Sequence, residues 1–360
     1  VYFFIKIINI LLTKIAIIGI TFSNFGLGQG FLPKIEYNPK KYVAYKINKP
    51  ILLDGKLNEA QWTNTDWTES FVDIEGSLKP NPFFDTKVKM LWDSTYFYIG
   101  AELEEPHVWA TLTQRDAVIF KDNDFEVFID PDGDTHNYYE LEINAFGTEW
   151  DLLLLKPYHD DSKVAIDSWD ITGLISKVHV NGTINNPSDT DKGWSVEIAI
   201  PWQTLEEAAP NFHPEIGEQW KVNFSRVHWN TEIINGKYIK TKDREYNWVW
   251  SPQGHIYMHL PELWGLVQFE GIKTKSVRFK NNNIDQIKWA LRQVYYQQRI
   301  FNEKNGQYSN SISALKLTSS PVKNILWPPK IIITPSGWEA FLELDNKKYF
   351  IRKDGLVWTQ

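Results

Sequence analysis

The chain has 360 residues, 45 acidic against 38 basic side chains, a formal net charge of −7 and no cysteine. That length allows about two domains, and the acidic balance argues against a nucleic-acid partner, because phosphate binding needs clustered Lys and Arg. The lack of cysteine excludes disulfides, thiolate metal sites and cysteine nucleophiles; the 17 Trp, 16 Tyr and 20 Phe fit either large half-buried β-sheet cores or stacking surfaces for flat ligands.

Residues 1–25 are almost wholly apolar, with Lys6 and Lys14 as the charges, and the small residues Gly26-Leu27-Gly28-Gln29 follow. This basic, apolar, small-residue order predicts a secretory signal peptide over 1–29 and export to the periplasm, the cell surface or the medium. An uncleaved membrane anchor is the rival reading, weakened by Lys14 inside the apolar run. Residues 30–47 read as a connecting segment.

From there to residue 270 the pattern is one of repeated strands. Val88, Met90 and Trp92 share a face, as do Phe97, Ile99, Ala101 and Leu103. The same period of two recurs in Phe125, Val127 and Ile129, in Tyr139, Leu141, Ile143 and Ala145, in Trp194, Val196, Ile198 and Ile200, and in Trp220, Val222 and Phe224. Turn signals at Asp132-Gly133, Asn181-Gly182 and Lys192-Gly193 separate such runs. The fold expected over 48–270 is all-β, an antiparallel, jelly-roll-like β-sandwich.

The character changes at 271. Lys273 to Asn283 is polar; Ile284, Ile287, Leu291, Val294 and Tyr295 then recur at helical spacing up to Asn305-Gly306. Short strands follow, with hairpin turns at Asp345-Asn346 and Asp354-Gly355. Residues 271–360 are read as a small α+β appendage of one helix on a β-meander, with no catalytic constellation.

The stretch Phe120 to Asp134 carries the functional reading. If Phe125, Val127 and Ile129 face a core, Glu126 and Phe128 face away. By the same alternation Tyr138, Glu140, Glu142 and Asn144 oppose the apolar set of their strand, and Asn223 opposes Val222 and Phe224. One sheet face then bears Glu126, Glu142, Asn144 and Asn223 with aromatics near its rim. Carboxylates and amides beside an aromatic platform suit a sugar, which offers hydroxyls and an apolar ring face. A solvated polar strand face is the alternative.

Five segments carry a resemblance. They are Ile51 to Trp62 (ILLDGKLNEAQW), Val88 to Ile99, Asp124 to Asp130 (DFEVFID), Gly193 to Trp202 and Trp264 to Phe269. Together they resemble a family 9 carbohydrate-binding module, nearest to the family-9-like proteins of environmental bacteria, over about 220 residues that leave out the appendage. The resemblance implies a β-sandwich that binds poly- or oligosaccharides, often glucan or xylan chain ends, without cleaving them. It also implies a neighbouring glycoside hydrolase as partner, a glycan ligand and frequent structural calcium; a monomer is expected. Position by position, Phe120 holds the place of the aromatic platform and Glu126 that of the Glu that grips hydroxyls. Glu142 and Asn144 match a polar pair whose first member is commonly basic, and Asn223 matches a later amide. The second platform aromatic falls near Met258, so Trp250, Tyr257 and His259 are the candidates for a second wall.

Asp130, Asp132 and Asp134 alternate around Gly133 and form a candidate calcium loop, with a polar hairpin as the alternative. A glycoside hydrolase would use paired carboxylates among Glu126, Glu140 and Glu142. A b-type haem held through Met90 or Met258, the latter beside His255 and His259, is the third reading.

Overall fold

The computed structural model describes residues 32–161, 163–323 and 325–360. The predicted signal segment, 1–29, lies outside the described residues. Among the described residues no helix is long and apolar enough to cross a membrane.

The sandwich is built from β1 (Lys41–Lys46), β2 (Val72–Asp73), β3 (Thr86–Trp92), β4 (Tyr96–Glu104), β5 (Asp124–Asp130), β6 (Tyr138–Asn144), β7 (Glu149–Leu154) and β8 (Ala165–Ile166), followed by β9 (Ile175–Asn181), β10 (Gly193–Pro201), β11 (Gln219–His228), β14 (Tyr246–Val249) and β15 (Gly265–Ile272). Between β11 and β14 stands a separate hairpin, β12 (Thr231–Ile234) with β13 (Lys237–Lys240). The main ladder runs β8-β7-β6-β5-β11-β15-β1-β3-β4-β10-β9, with β14 paired to β11 and β2 paired to β14. Pairing is antiparallel except at β1, which runs parallel to both β15 and β3. β1 therefore joins the two layers, and the sheet already begins at Lys41, ahead of residue 48.

The all-β sandwich expected from alternation is what forms. Phe125, Val127, Ile129, Tyr139, Leu141, Ile143, Val222 and Phe224 from one layer meet Val88, Met90, Phe97, Ile99, Trp194 and Val196 from the other in one buried cluster. Trp92, Trp202, Trp220 and Phe269 interlock in it as edge-to-face pairs with ring centroids 5.2–6.3 Å apart. Each buried Trp or Phe of this kind removes a large apolar area from water, which is the main stabilising term of such a core.

Two of the segments quoted above meet on the outer face of β10. The completely buried Glu197 accepts hydrogen bonds from the backbone N–H of Asp54 (2.7 Å) and Gly55 (2.6 Å) and from the indole N–H of Trp62 (2.7 Å). Gly55 sits at φ +89°, and a Cβ there would lie 2.7 Å from the His179 backbone N. Only glycine meets both demands. The short helix α1 (Ala60–Thr63) presents Trp62 to this pocket.

Past β15, helix α2 (Asn283–Asn305) starts at Asn282, whose side chain accepts the Ile284 N–H, and stops at Gly306 in the left-handed region (φ +67°). It packs Ile287, Leu291, Val294 and Tyr295 on a four-stranded meander of β16 (Lys330–Thr334), β17 (Gly337–Leu344), β18 (Lys347–Arg352) and β19 (Val357–Thr359). Asp345 and Asn346, both at positive φ, make the β17–β18 turn. The same cluster takes in Leu260 and Leu263 from the sandwich, so the C-terminal segment shares a core with a sandwich loop.

Glu197→Ala would leave three N–H donors, two of them buried, without an acceptor. The expected loss is about 3 kcal/mol in urea unfolding, and Glu197→Gln, which keeps one acceptor oxygen, should lose less.

Candidate functional site

The register of the β5 layer decides what shares its outer face. Glu126 stands opposite Glu142 on β6 and Ser225 on β11, and Glu142 stands opposite Trp150 on β7. One row along, Phe128 lies between Asn223 and Glu140, and Glu140 faces Leu152. Because Phe125, Val127 and Ile129 are committed to the core, Asp124, Glu126 and Phe128 have no other face to occupy.

The face has two halves. In one, Asp124, Glu126 and Glu142 each offer a carboxylate oxygen, and these oxygens lie within 4.8 Å of one another; Glu140 adjoins them. All four side chains are 95% or more buried. Burial pushes every one of these carboxyls above the ordinary carboxylate range, Glu126 to about 7, and the Glu126 charge raises Asp124, Glu140 and Glu142 further. In the other half, Phe128, Tyr138, Leu152, Leu154 and Trp264 form an apolar cluster that Trp150, Tyr158 and Met258 flank.

Phe120 sits on a 3-10 turn, Ile119–Lys121, immediately before β5 and is 38% exposed. Its own N–H donates to Glu142 Oε2 (2.8 Å), and its carbonyl accepts the Trp229 indole N–H (2.8 Å). Its ring lies 6.4 Å from Trp150, with planes 32° apart. Lys240 of the β12–β13 hairpin stacks 3.5 Å over the Trp229 ring. The platform is thus fastened directly to the carboxylate face.

Several residues read as binders from sequence have other work. Asn144 spends its amide N–H on the Leu112 carbonyl and Asp122, and its carbonyl oxygen on the Phe146 and Thr148 N–H groups. It closes the β6–β7 turn and keeps nothing for a ligand. Asn223, fully buried, exchanges a pair of hydrogen bonds with the Ser251 backbone, 2.9 Å each. Trp250 is a core residue: its ring fills the space left open by Gly265, where a Cβ would come within 2.3 Å of it. The chain turns inward after β14, so Trp250 cannot be the second wall.

Tyr257 is exposed and stacks on His255 at 4.6 Å. His259 does reach the face, with Nδ1 2.9 Å from the Tyr138 hydroxyl and its ring edge-on to Phe128 and Tyr158. Burial lowers it to about 3, so the imidazole is neutral. Met90 is in the inter-layer core, whereas Met258 packs on the outer face and takes a contact from Gln253 Nε2 at 3.1 Å. Met90 is thus enclosed between the layers, while the Met258 sulfur is engaged by Gln253 and Nδ1 of its neighbour His259 by the Tyr138 hydroxyl.

The Asp130-Pro-Asp-Gly-Asp134 loop is a run of side-chain-capped turns. Asp130 accepts the Gly133 and Thr135 N–H groups, Asp132 that of Asp134, and Asp134 that of His136. Lys288 of α2 donates to the Asp132 and Gly133 carbonyls, so the loop is also where the C-terminal helix docks.

That helix grips two further loops beside the site. Asp160 accepts from Tyr295 OH and Arg299 Nη1, both 2.6 Å, and Arg299 Nη2 reaches the His159 carbonyl. Tyr296 OH donates to Glu262 at 2.5 Å. The first loop carries Tyr158, the second Met258 and His259. Sequence reasoning missed Trp150 and Tyr158 as site residues. Counting across the turn at Phe146-Gly147 would have placed Trp150 beside Glu142; Tyr158 had no such local signal.

Residues 53–223 match the family described as carbohydrate family 9 binding domain-like. The chain is 26% identical over 181 residues to endo-1,4-beta-xylanase A of Thermoanaerobacterium saccharolyticum, covering 50% of this chain and 13% of that protein. It is 30% identical over 185 residues to endo-1,4-beta-xylanase A of Thermotoga maritima, covering 49% and 14%. An exoglucanase of Acetivibrio thermocellus is 24% identical over 163 residues, covering 45% and 12%. The chain therefore spans between 12% and 14% of the length of these curated relatives. Among solved structures, a family 9 carbohydrate-binding module of Caldicellulosiruptor kristjanssonii in complex with cellotriose aligns at a TM-score of 0.41 and 15% identity, over 68% of this chain and all of that one. The module from the same organism in complex with glucose aligns at 0.42 and 14%, over 66% and 100%.

Two outcomes are expected. Tyr295→Phe or Arg299→Ala should release the Asp160 loop, so that amide hydrogen exchange at 156–161 accelerates about tenfold while β5 and β6 keep their protection. Carboxyls raised in the folded state hold protons that the unfolded chain has lost at neutral pH. Their contribution to stability is present below the unfolded value and disappears as pH rises through the folded one. In chelated buffer the melting temperature should accordingly fall as pH rises from about 5 to about 7, through the folded value of Glu126. Glu126→Gln should flatten the fall.

Proposed function

We propose that the chain is an exported, non-catalytic carbohydrate-binding protein whose ligand lies against the outer face of β5, β6 and β7. The observation that carries this reading is the fastening of Phe120 to Glu142, which sets an exposed aromatic platform at the edge of a carboxylate wall flanked by Trp150. A sugar ring offers C–H groups to the platform and hydroxyl donors to Glu126, Glu140 and Glu142, so one ligand meets both halves of the site.

Hydrolysis fits less well. A glycosidase sets its two carboxyls on opposite sides of the scissile bond, whereas Glu126, Glu140 and Glu142 are neighbours on a single wall. The matched relatives are named as xylanases and an exoglucanase, and this chain covers a small part of each. The shared part is then an accessory domain, and a glycoside hydrolase acting on the same glycan completes the reading. The basic and apolar N-terminal pattern supports export.

Calorimetry with gluco- and xylo-oligosaccharides, backed by a glycan array, tests the site. Phe120→Ala and Glu126→Gln should each weaken binding by about tenfold or more, near 1.4 kcal/mol, without loss of fold by circular dichroism. Binding indifferent to both changes would remove the assigned site. Reducing-sugar release that disappears in Glu126→Gln would replace binding with hydrolysis.

A further inference from the structure

The polar stretch from Lys273 to Asn283, which leads from the sandwich into α2, is tied down at its far end. The Lys280 N–H donates to Gln268 Oε1 (2.8 Å), and the Lys280 carbonyl accepts from Gln219 Nε2 (2.6 Å). Asn281 Oδ1 accepts from Lys41 Nζ (2.8 Å), and Asn282 Oδ1 from the Ile284 N–H (2.8 Å). These bonds pin residues 280–282 to β1, β11, β15 and the first turn of α2. The pinned segment borders a cleft of about 400 Å³. The other sides of the cleft come from Gly217 and Gln219 at the head of β11, and from Leu344, Asp345 and Lys347 around the β17–β18 turn. Its volume falls within the roughly 300–1,000 Å³ of small-ligand sites. Apart from Gly217 and Gln219, its lining lies beyond the residues 53–223 that match the family.

The chemistry of this lining is the reverse of that on β5 and β6. There carboxylates crowd together; here donors dominate. Asn281 and Asn282 have committed their carbonyl oxygens and keep their amide N–H groups. Among the described residues, the side chains of Asn283 and Lys347 make no hydrogen bond or ion pair. Lys280 has one distant carboxylate, Glu270 at 3.9 Å, and its ammonium stands near Gly217, where a Cβ would lie 3.9 Å from it. Two lysines thus stand against one carboxylate, Asp345, in a chain whose net charge is −7. Amide and ammonium donors with few acceptors suit an anion that carries several acceptor oxygens. Ile284 and Leu344 add an apolar side, against which the C–H face of a ring can lie. A small inorganic anion would use the donors and leave that side empty. A neutral sugar would leave the lysines without a counter-charge. A sugar ring that bears a carboxylate uses both.

We infer that this cleft is a second carbohydrate subsite and that it takes an acidic sugar unit, a uronic acid. Lys280 and Lys347 balance its carboxylate, the amides of Asn281, Asn282 and Asn283 donate to its oxygens, and Asp345 accepts from a hydroxyl. The sugar part of this statement rests on the glycan reading; the anion part does not.

The full chain is titrated by calorimetry with glucuronic acid, with glucose and acetate as comparisons. In Phe120→Ala protein, where the first face is disabled, glucuronate should still bind, about tenfold more tightly than glucose or acetate. The binding should weaken as salt rises from about 0.05 to 0.5 M, because exposed lysines are screened. Lys280→Ala and Lys347→Ala should each weaken it by about threefold or more. Both side chains are exposed, so both variants should melt with wild type and should keep the affinity of the wild-type chain for uncharged gluco-oligosaccharides. No glucuronate binding, or binding untouched by both lysine changes, overturns the cleft. Glucuronate binding abolished by Phe120→Ala moves the acidic sugar to the face of β5 and β6, overturning the cleft and upholding the glycan reading. Acetate bound as tightly as glucuronate overturns the sugar and leaves an anion site. Glucuronate bound as expected, with no uncharged oligosaccharide recognised by wild-type protein, removes the ligand face on β5 to β7 and keeps the cleft.

Discussion

The pairing register of β5 with β6 and β11 is the constraint on which the rest depends. In a β-strand the side-chain period is two, so a slip of one residue would exchange the two faces. Phe125, Val127 and Ile129 pair with Ile143, Leu141 and Tyr139 on one side and meet Val222 and Phe224 on the other. A slip would drive Glu126, Glu140 and Glu142 between the layers and expose the aromatics. The apolar core therefore fixes the acidic face, although none of its atoms touches a ligand.

The cost of that face explains its surroundings. Carboxylates crowded on adjacent strands repel one another, and burial raises each of them further. Such an arrangement persists where the neighbouring structure over-determines it. Here the inter-layer Trp and Phe cluster supplies the excess stability, and the Phe120 N–H, the Val227 N–H and the Asn144-held turn fix the geometry. The pattern is one of function placed at a locally unfavourable site and supported from elsewhere.

Alternation made the fold and the acidic face legible in the sequence. The strand faces of Val88 to Leu103, of Phe125 to Ala145 and of Trp194 to Ile200 could be read from local spacing, and Glu126 and Glu142 followed from them. The roles of Asn144 and Asn223 could not be read in this way. Alternation gives the side to which an amide points but not what it meets there, and each is consumed by backbone groups brought up by a turn or a loop. Trp250 was misplaced because aromatic character alone does not separate a platform from a core filler; the close approach of Gly265 decides it. Tyr158 depended on a docking event about 140 residues along the chain, in the Asp160–Arg299 pair.

That docking gives the C-terminal segment a physical relation to the site. Loops that carry binding residues are ordinarily the least restrained part of a sandwich. Here α2 fixes three of them at once, through Lys288 on the Asp132 turn, Arg299 and Tyr295 on Asp160, and Tyr296 on Glu262. Ordering loops before a ligand arrives spares binding the entropy of ordering them afterwards. The hydrogen bonds are short and the partners buried, so the restraint acts on the backbone near Tyr158 and His259 rather than on distant surface. Without the helix, Asp160 and Glu262 would lose these donors, and the apolar half of the face would loosen before the sheet beneath it. The segment outside the family match thus restrains the loops beside the sheet face that the family match supplies.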